Sequence, residues 1–159
     1  MHQQANTKGG VAMKKLISIF FLCIFCALFF LFTSVPFIND QIAEGVKNDL
    51  IALPLPEKTK VMDSLSRAGK LVGSGNGMQY FGAILIQSNL TLEELQEYYM
   101  QYSKNDGTYV VKKQTGNCIE EIEHGEVNFS KWVSGVAYYI VYSWGDSDYF
   151  LRDFDLRAH

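Results

Sequence analysis

The chain has 159 residues, a net charge of −3, 48% hydrophobic and 14% aromatic residues. That is too rich in apolar and aromatic side chains for a disordered chain, and its acidity gives no basic face for nucleic-acid phosphates. It is long enough for one small core beside a separate apolar segment, and too short for two full domains.

The charge is unevenly spread. Lys8, Lys14 and Lys15 are the only charged residues before Asp40; eleven basic residues and all seventeen acids follow, leaving that part at −6. Lys8-Gly9-Gly10 can be encoded by codons containing a ribosome-binding site two codons ahead of Met13. Residues 1–12 are therefore read as a cytoplasmic tail or a translated upstream stretch; a gene lacking a purine-rich run there removes the second option. Met13-Lys14-Lys15 resembles a bacterial export start.

Leu16 to Phe32 carries no charge. At ~1.5 Å per helical residue it measures roughly 26 Å, and roughly 34 Å when extended to Ile38, which matches a bilayer's hydrocarbon core. The run exceeds the ~7–15 apolar residues of a signal h-region, and Phe32 stands where cleavage before Val35 wants a small side chain. Residues 13–38 are thus expected to be a retained signal anchor held in the lipid bilayer through Leu16 to Ile38. Flanking lysines keep the N-terminus cytoplasmic and put the acidic remainder outside the cell membrane. Cys23 and Cys26, three apart, are expected on one face of this helix as packing residues.

Residues 39–56 read as a juxtamembrane linker ending in Leu53-Pro54-Leu55-Pro56. Ile42, Val46, Leu50 and Ile51 give its first part a helical pattern that either continues the membrane helix past Pro36 or lies along the surface.

Residues 57–159 are expected to form an extracytoplasmic domain. Lys60 to Val72 and Met78 to Gln87 read as two strands joined by the hairpin loop Gly73-Ser74-Gly75-Asn76-Gly77, the second apolar on both faces and so central. Thr91-Leu92-Glu93-Glu94 is a capping box with Leu90 and Leu95 at the staple positions, opening a helix that Lys104-Asn105-Asp106-Gly107 ends. Tyr109 to Gln114 reads as a strand and Thr115-Gly116-Asn117 as a turn. Cys118 to Val127 is strand or helical turn. Phe129 to Val133 and Gly135 to Trp144 read as strands, and Tyr149 to Leu156 as an edge strand after the turn Gly145-Asp146-Ser147-Asp148. The order β-β-α-β-(β)-β-β predicts a two-layer α+β domain with one main helix on an antiparallel sheet. The apolar strand Val136 to Tyr142 hints that the second sheet face is covered as well.

Chemistry-bearing residues are sparse. The glycine loop leads into a strand rather than a helix and lacks a following Lys-Ser/Thr, so a hairpin turn is favoured over a phosphate loop. Cys118 is alone, which excludes an internal disulfide in the domain, and its closeness in sequence to His124 says little about pairing in space. Asp146, Asp148, Asp153 and Asp155 lack EF-hand spacing. With Glu120, Glu121, Glu123 and Glu126 they are read as solvated edges.

No catalytic residue, metal site or cofactor is expected. The expected function is a non-catalytic interaction module that uses strand aromatics, Tyr138, Tyr142, Trp144 and Tyr149, to bind an envelope protein or glycan. The alternative is a cell-surface hydrolase or transferase using the clustered Asp and Glu.

Overall fold

The computed structural model describes residues 4–103 and 108–159. Lys104-Asn105-Asp106-Gly107, read as the end of a helix, lies outside the described residues. In chain order the elements are α1 (Gln4–Ile51), β1 (Thr59–Gly69), β2 (Gln79–Ser88), α2 (Leu92–Met100), β3 (Val110–Lys113), β4 (Gly116–Cys118), β5 (Asn128–Val133) and β6 (Tyr138–Gly145), followed by short 3-10 turns at Arg152–Phe154 and Leu156–Ala158. The expected mixed α+β architecture and strand sequence are present.

α1 is a single helix with two environments. Residues 12–30 are all exposed, and this is the one described helix long and apolar enough to cross a membrane. From Val35 onward one face is packed: Val35, Asn39, Ala43 and Leu50 are each at most 1% exposed. Their spacings of four, four and seven residues are those of a helix stripe. The helix passes Pro36 without ending, although proline withholds the N–H that Phe32's carbonyl would accept. Beyond that point the helix packs against β1, β2 and β6. Residues 39–51 are therefore helix and sheet cover at once.

Four strands form one antiparallel sheet in the order β1-β2-β6-β3. β2 is central, flanked by β1 and β6 along its length. Its side chains alternate between two buried layers. Ile84 and Ile86, with Val111, Tyr139 and Val141 from neighbouring strands, pack beneath Leu50 of α1 and Leu95 and Tyr99 of α2. Phe81, Ala83 and Leu85, with Ile140 and Tyr142, pack beneath Phe129, Val133, Ile119 and Ile122. The two-stranded β4–β5 ribbon and the loop between its strands supply this second cover.

α2 starts as its sequence specifies. The Thr91 hydroxyl accepts from Glu94 N–H at 3.2 Å, and the Glu94 carboxylate accepts from Thr91 N–H at 2.7 Å. These two bonds satisfy N–H groups that the first turn leaves unpaired.

Three local expectations are corrected. Tyr149 to Leu156 is not an edge strand but loop and 3-10 turns. Its alternating apolar pattern misleads because Asp155 points inward, to a polar partner on α1, while Phe150, Phe154 and Leu156 are exposed. Gly116-Asn117, read as a turn, lies in β4, whose Gly116 pairs with Val133. Beyond Cys118 the ambiguous stretch is loop, yet its Ile119 and Ile122 still face the core.

α1 and β2 run the same way along the domain. Tyr80 meets Asn39, Gly82 lies under Val46 and Lys47, and Ile84 and Ile86 share a cluster with Leu50. The turns containing residues 70–78 and 145–159 therefore sit at the end nearest the exposed apolar helix. Ser88 to Leu92 and Val136 to Tyr138 sit at the opposite end.

Candidate functional site

Tyr138, Tyr142 and Trp144 recur at even positions of β6 and share the sheet face under the ribbon. Phe81 is their organiser: its ring centroid lies 5.5 Å from that of Tyr142 and 4.9 Å from that of Trp144. Tyr142 is buried, and burial raises its phenol pKa despite the lowering influence of Lys112, whose Nζ stands 5.9 Å from its ring centroid. Tyr149 belongs to the loop after β6, where its ring meets that of Phe150 edge-on. Three of the four aromatics thus come together in the second core layer, and the fourth stands apart from it. The aromatic sheet face is covered by the chain itself.

Several of the remaining polar candidates have structural partners. His124 Nε2 is 2.6 Å from the Gly73 carbonyl oxygen, and Glu123 accepts from Gly73 N–H at 2.8 Å. Both bonds tie the glycine loop down; Gly73 and Gly77 adopt φ of +77° and +138°, a region that favours glycine. Glu121 pairs with Lys112 at 3.0 Å, Asp146 with Arg152 at 2.8 Å, and Asp153 accepts from Met78 N–H at 2.9 Å. Cys118 is exposed. Among the described residues no group of three or more His, Cys, Asp or Glu side chains is arranged to hold a metal ion.

Asp63 shows why a half-buried carboxylate can be structural here. It follows a bulge in β1 and accepts from Ser130 N–H, Ser130 Oγ and Lys131 N–H at 2.6 to 3.1 Å, while its other oxygen accepts from Ser64 N–H. Burial pushes its pKa up, but these donors outweigh burial and hold it below the ordinary value. The ribbon is pinned to the sheet at this point.

Two features remain. The first is an open groove of about 530 Å³ at the end of the domain farthest from the exposed apolar helix. Thr91, Glu93 and Lys113 give it polar groups of both charges; Leu92, Val136 and Tyr139 give it apolar wall. Val136 is 83% exposed at its rim. The capping box fixes one wall and the β6 register fixes the other. Tyr139 bridges them, donating its hydroxyl to the Leu90 carbonyl at 2.9 Å.

The second is a polar clasp between α1 and the end of the chain. Asn39 Nδ2 donates to the Arg152 carbonyl at 3.0 Å and to Asp155 Oδ2 at 3.1 Å, while Asn39 Oδ1 accepts from the Tyr80 hydroxyl at 2.8 Å. Arg157 donates to Asp155, to Asp40 at 2.8 Å and to the Pro36 carbonyl at 3.1 Å. Burial pushes the Asp155 carboxyl up; bonds from Arg157 and Asn39 outweigh that and hold its pKa below the ordinary value. Sequence reading missed the clasp. The available signal was a polar Asn39 on the same helical face as Val35 and Ala43, together with the Asp155-x-Arg157 pair. Neither names its partner.

No protein-family model, no curated protein and no solved structure matches this chain.

Proposed function

We propose that this chain is a bacterial single-pass membrane protein, N-terminus cytoplasmic, whose outer α+β domain is a non-catalytic module that binds another envelope protein. The observation that carries this reading is the distal groove. It lies at the end of the domain away from the apolar helix, combines an exposed apolar rim at Val136 with Glu93 and Lys113, and has both walls fixed by secondary structure. Mixed polar and apolar concave surface on rigid elements suits recognition of a protein segment. The lysines before the apolar run and the −6 balance after it support the orientation. The clasp supports a tether that holds the groove at a set height above the bilayer.

The test uses the full chain in its native membranes with a photo-crosslinking residue at Val136 and, as control, at Val61 on the sheet edge. A discrete adduct formed at Val136, absent at Val61 and lost in Lys113→Glu supports the assignment. Equal labelling at both positions, or an adduct indifferent to Lys113→Glu, overturns it.

A further inference from the structure

The end of the chain carries exposed apolar side chains that the core does not use. Phe150 is 83% exposed, Phe154 59% and Leu156 75%. Six of the ten residues from Tyr149 to Ala158 are apolar or aromatic, yet only Ala158 of these is buried. A monomer rarely leaves such a concentration bare without a use for it.

The position of this segment is fixed by the clasp. Arg157 reaches the Pro36 carbonyl and Asp40, and the Arg152 carbonyl accepts from Asn39. The segment is therefore docked on α1 at residues 36–40. Phe32, among the last exposed residues of the apolar run, is about one turn earlier, roughly 6 Å along the axis from Pro36. Phe37, 65% exposed, stands on α1 at the same level. A helix that leaves a bilayer near Ser34 puts these four side chains at the headgroup and acyl boundary.

We propose that Phe150, Phe154 and Leu156, with Phe37, form an interfacial membrane-insertion patch that seats the base of the domain on the bilayer carrying α1. This rests on α1 crossing the bilayer. The occupant is lipid rather than a protein groove, because the segment docks on α1 about one helical turn beyond the exposed apolar run. The hydrocarbon stems of Arg152 and Arg157 fit the same boundary, where such side chains keep their charge in water. The four nearby aspartates, Asp146, Asp148, Asp153 and Asp155, outnumber the two arginines. Attraction to anionic lipid is therefore not the driving force, and apolar insertion is. The clasp and patch together make a two-point base: one covalent span and one reversible foot.

The experiment uses the full chain in discs of zwitterionic phosphatidylcholine, with and without bromine on the acyl chains. Phe154→Trp and Phe150→Trp each add a reporter to the native Trp132 and Trp144 background, and Phe25→Trp reports the span. The added emission of Phe154→Trp and Phe150→Trp should shift to the blue and lose roughly half its intensity with bromines high in the acyl chain, and less with deep ones. Phe25→Trp should be quenched most by deep bromines. Quenching of Phe25→Trp without quenching at 150 and 154 overturns the patch and leaves the span intact. Absence of quenching at all three positions overturns the span and the patch with it. Blue-shifted but unquenched emission at 150 and 154 puts the patch against protein and also overturns the proposal.

Discussion

Replacing Asn39 by leucine removes the centre of the clasp while keeping the same branched side-chain shape. The cost can be worked bond by bond. Asp155 Oδ2 keeps Arg157, which donates at 2.7 Å, and the Arg152 carbonyl keeps the Asp155 N–H. For these two acceptors only a bond is lost, about 1 kcal/mol each. The Tyr80 hydroxyl loses more: Tyr80 is 0% exposed, Asn39 is the acceptor it donates to, and the Ser147 side chain is the other polar group beside it. Losing that acceptor costs about 1–3 kcal/mol, the low end applying where Ser147 accepts the hydrogen bond. The total is about 3–5 kcal/mol, which for a domain near one hundred residues lowers the melting temperature by roughly 15–25 °C. Near-ultraviolet circular dichroism of the full chain in detergent, followed through thermal unfolding, reads this out through Phe81, Tyr142 and Trp144. The double variant Asn39→Leu/Tyr80→Phe removes the stranded hydroxyl and should recover about 1–2 kcal/mol of that loss. If the single variant melts within about 3 °C of the native chain, or the double variant is no more stable than the single, the clasp is not the energetic junction described here.

Three further outcomes follow from the packing and the titrating groups. At Gly82 a Cβ would sit 2.5 Å from the Lys47 backbone nitrogen and 2.7 Å from the Val46 carbonyl carbon, so Gly82→Ala should cost about 2–3 kcal/mol in denaturant unfolding, because backbone rather than a rotatable side chain must move. Tyr99 is fully buried, its hydroxyl has no hydrogen-bond partner among the described residues, and burial pushes its pKa up to about 12; Tyr99→Phe should leave the domain equally stable or about 1 kcal/mol more stable, and a loss above that size would reveal a bond the hydroxyl makes. The Asp155 pKa is held below its unfolded value, so its stabilising contribution is complete above about pH 4 and is lost as pH falls through the lower, folded value. A melting-temperature profile should therefore fall below about pH 4 in the native chain and fall less steeply in Asp155→Asn, which starts from lower stability.

The Thr91–Glu94 capping box was legible because every partner lies within one helical turn. The central strand β2 was legible because its continuous apolar run has no exposed face to explain. The second covered face was hinted at by the same logic in β6, although nothing local said that the β4–β5 ribbon would provide the cover. Tyr138, Tyr142 and Trp144 were readable as one face by alternation. Whether that face was bare depended on the fold of residues 116–133, whose apolar Ile119 and Ile122 act from a loop. The end of the chain was misread for a related reason: alternation of Phe150, Phe154 and Leu156 with polar residues imitates an edge strand, whereas Asp155 is the residue that turns inward.

The sequence by itself determined the apolar run, the charge step across it, the mixed α+β class, the order of strands and the start of α2. Each depends on residues a few positions apart, through helical rise, alternation or capping, or on summed charge. Only the tertiary structure decided that α1 continues past Pro36 as cover for the sheet, that Gly82 exists to let its backbone approach, and that Asn39 is held by Tyr80, Arg152 and Asp155. Those contacts join residues 41 to 116 positions apart, and a buried amide specifies that it needs partners without specifying where along the chain they lie.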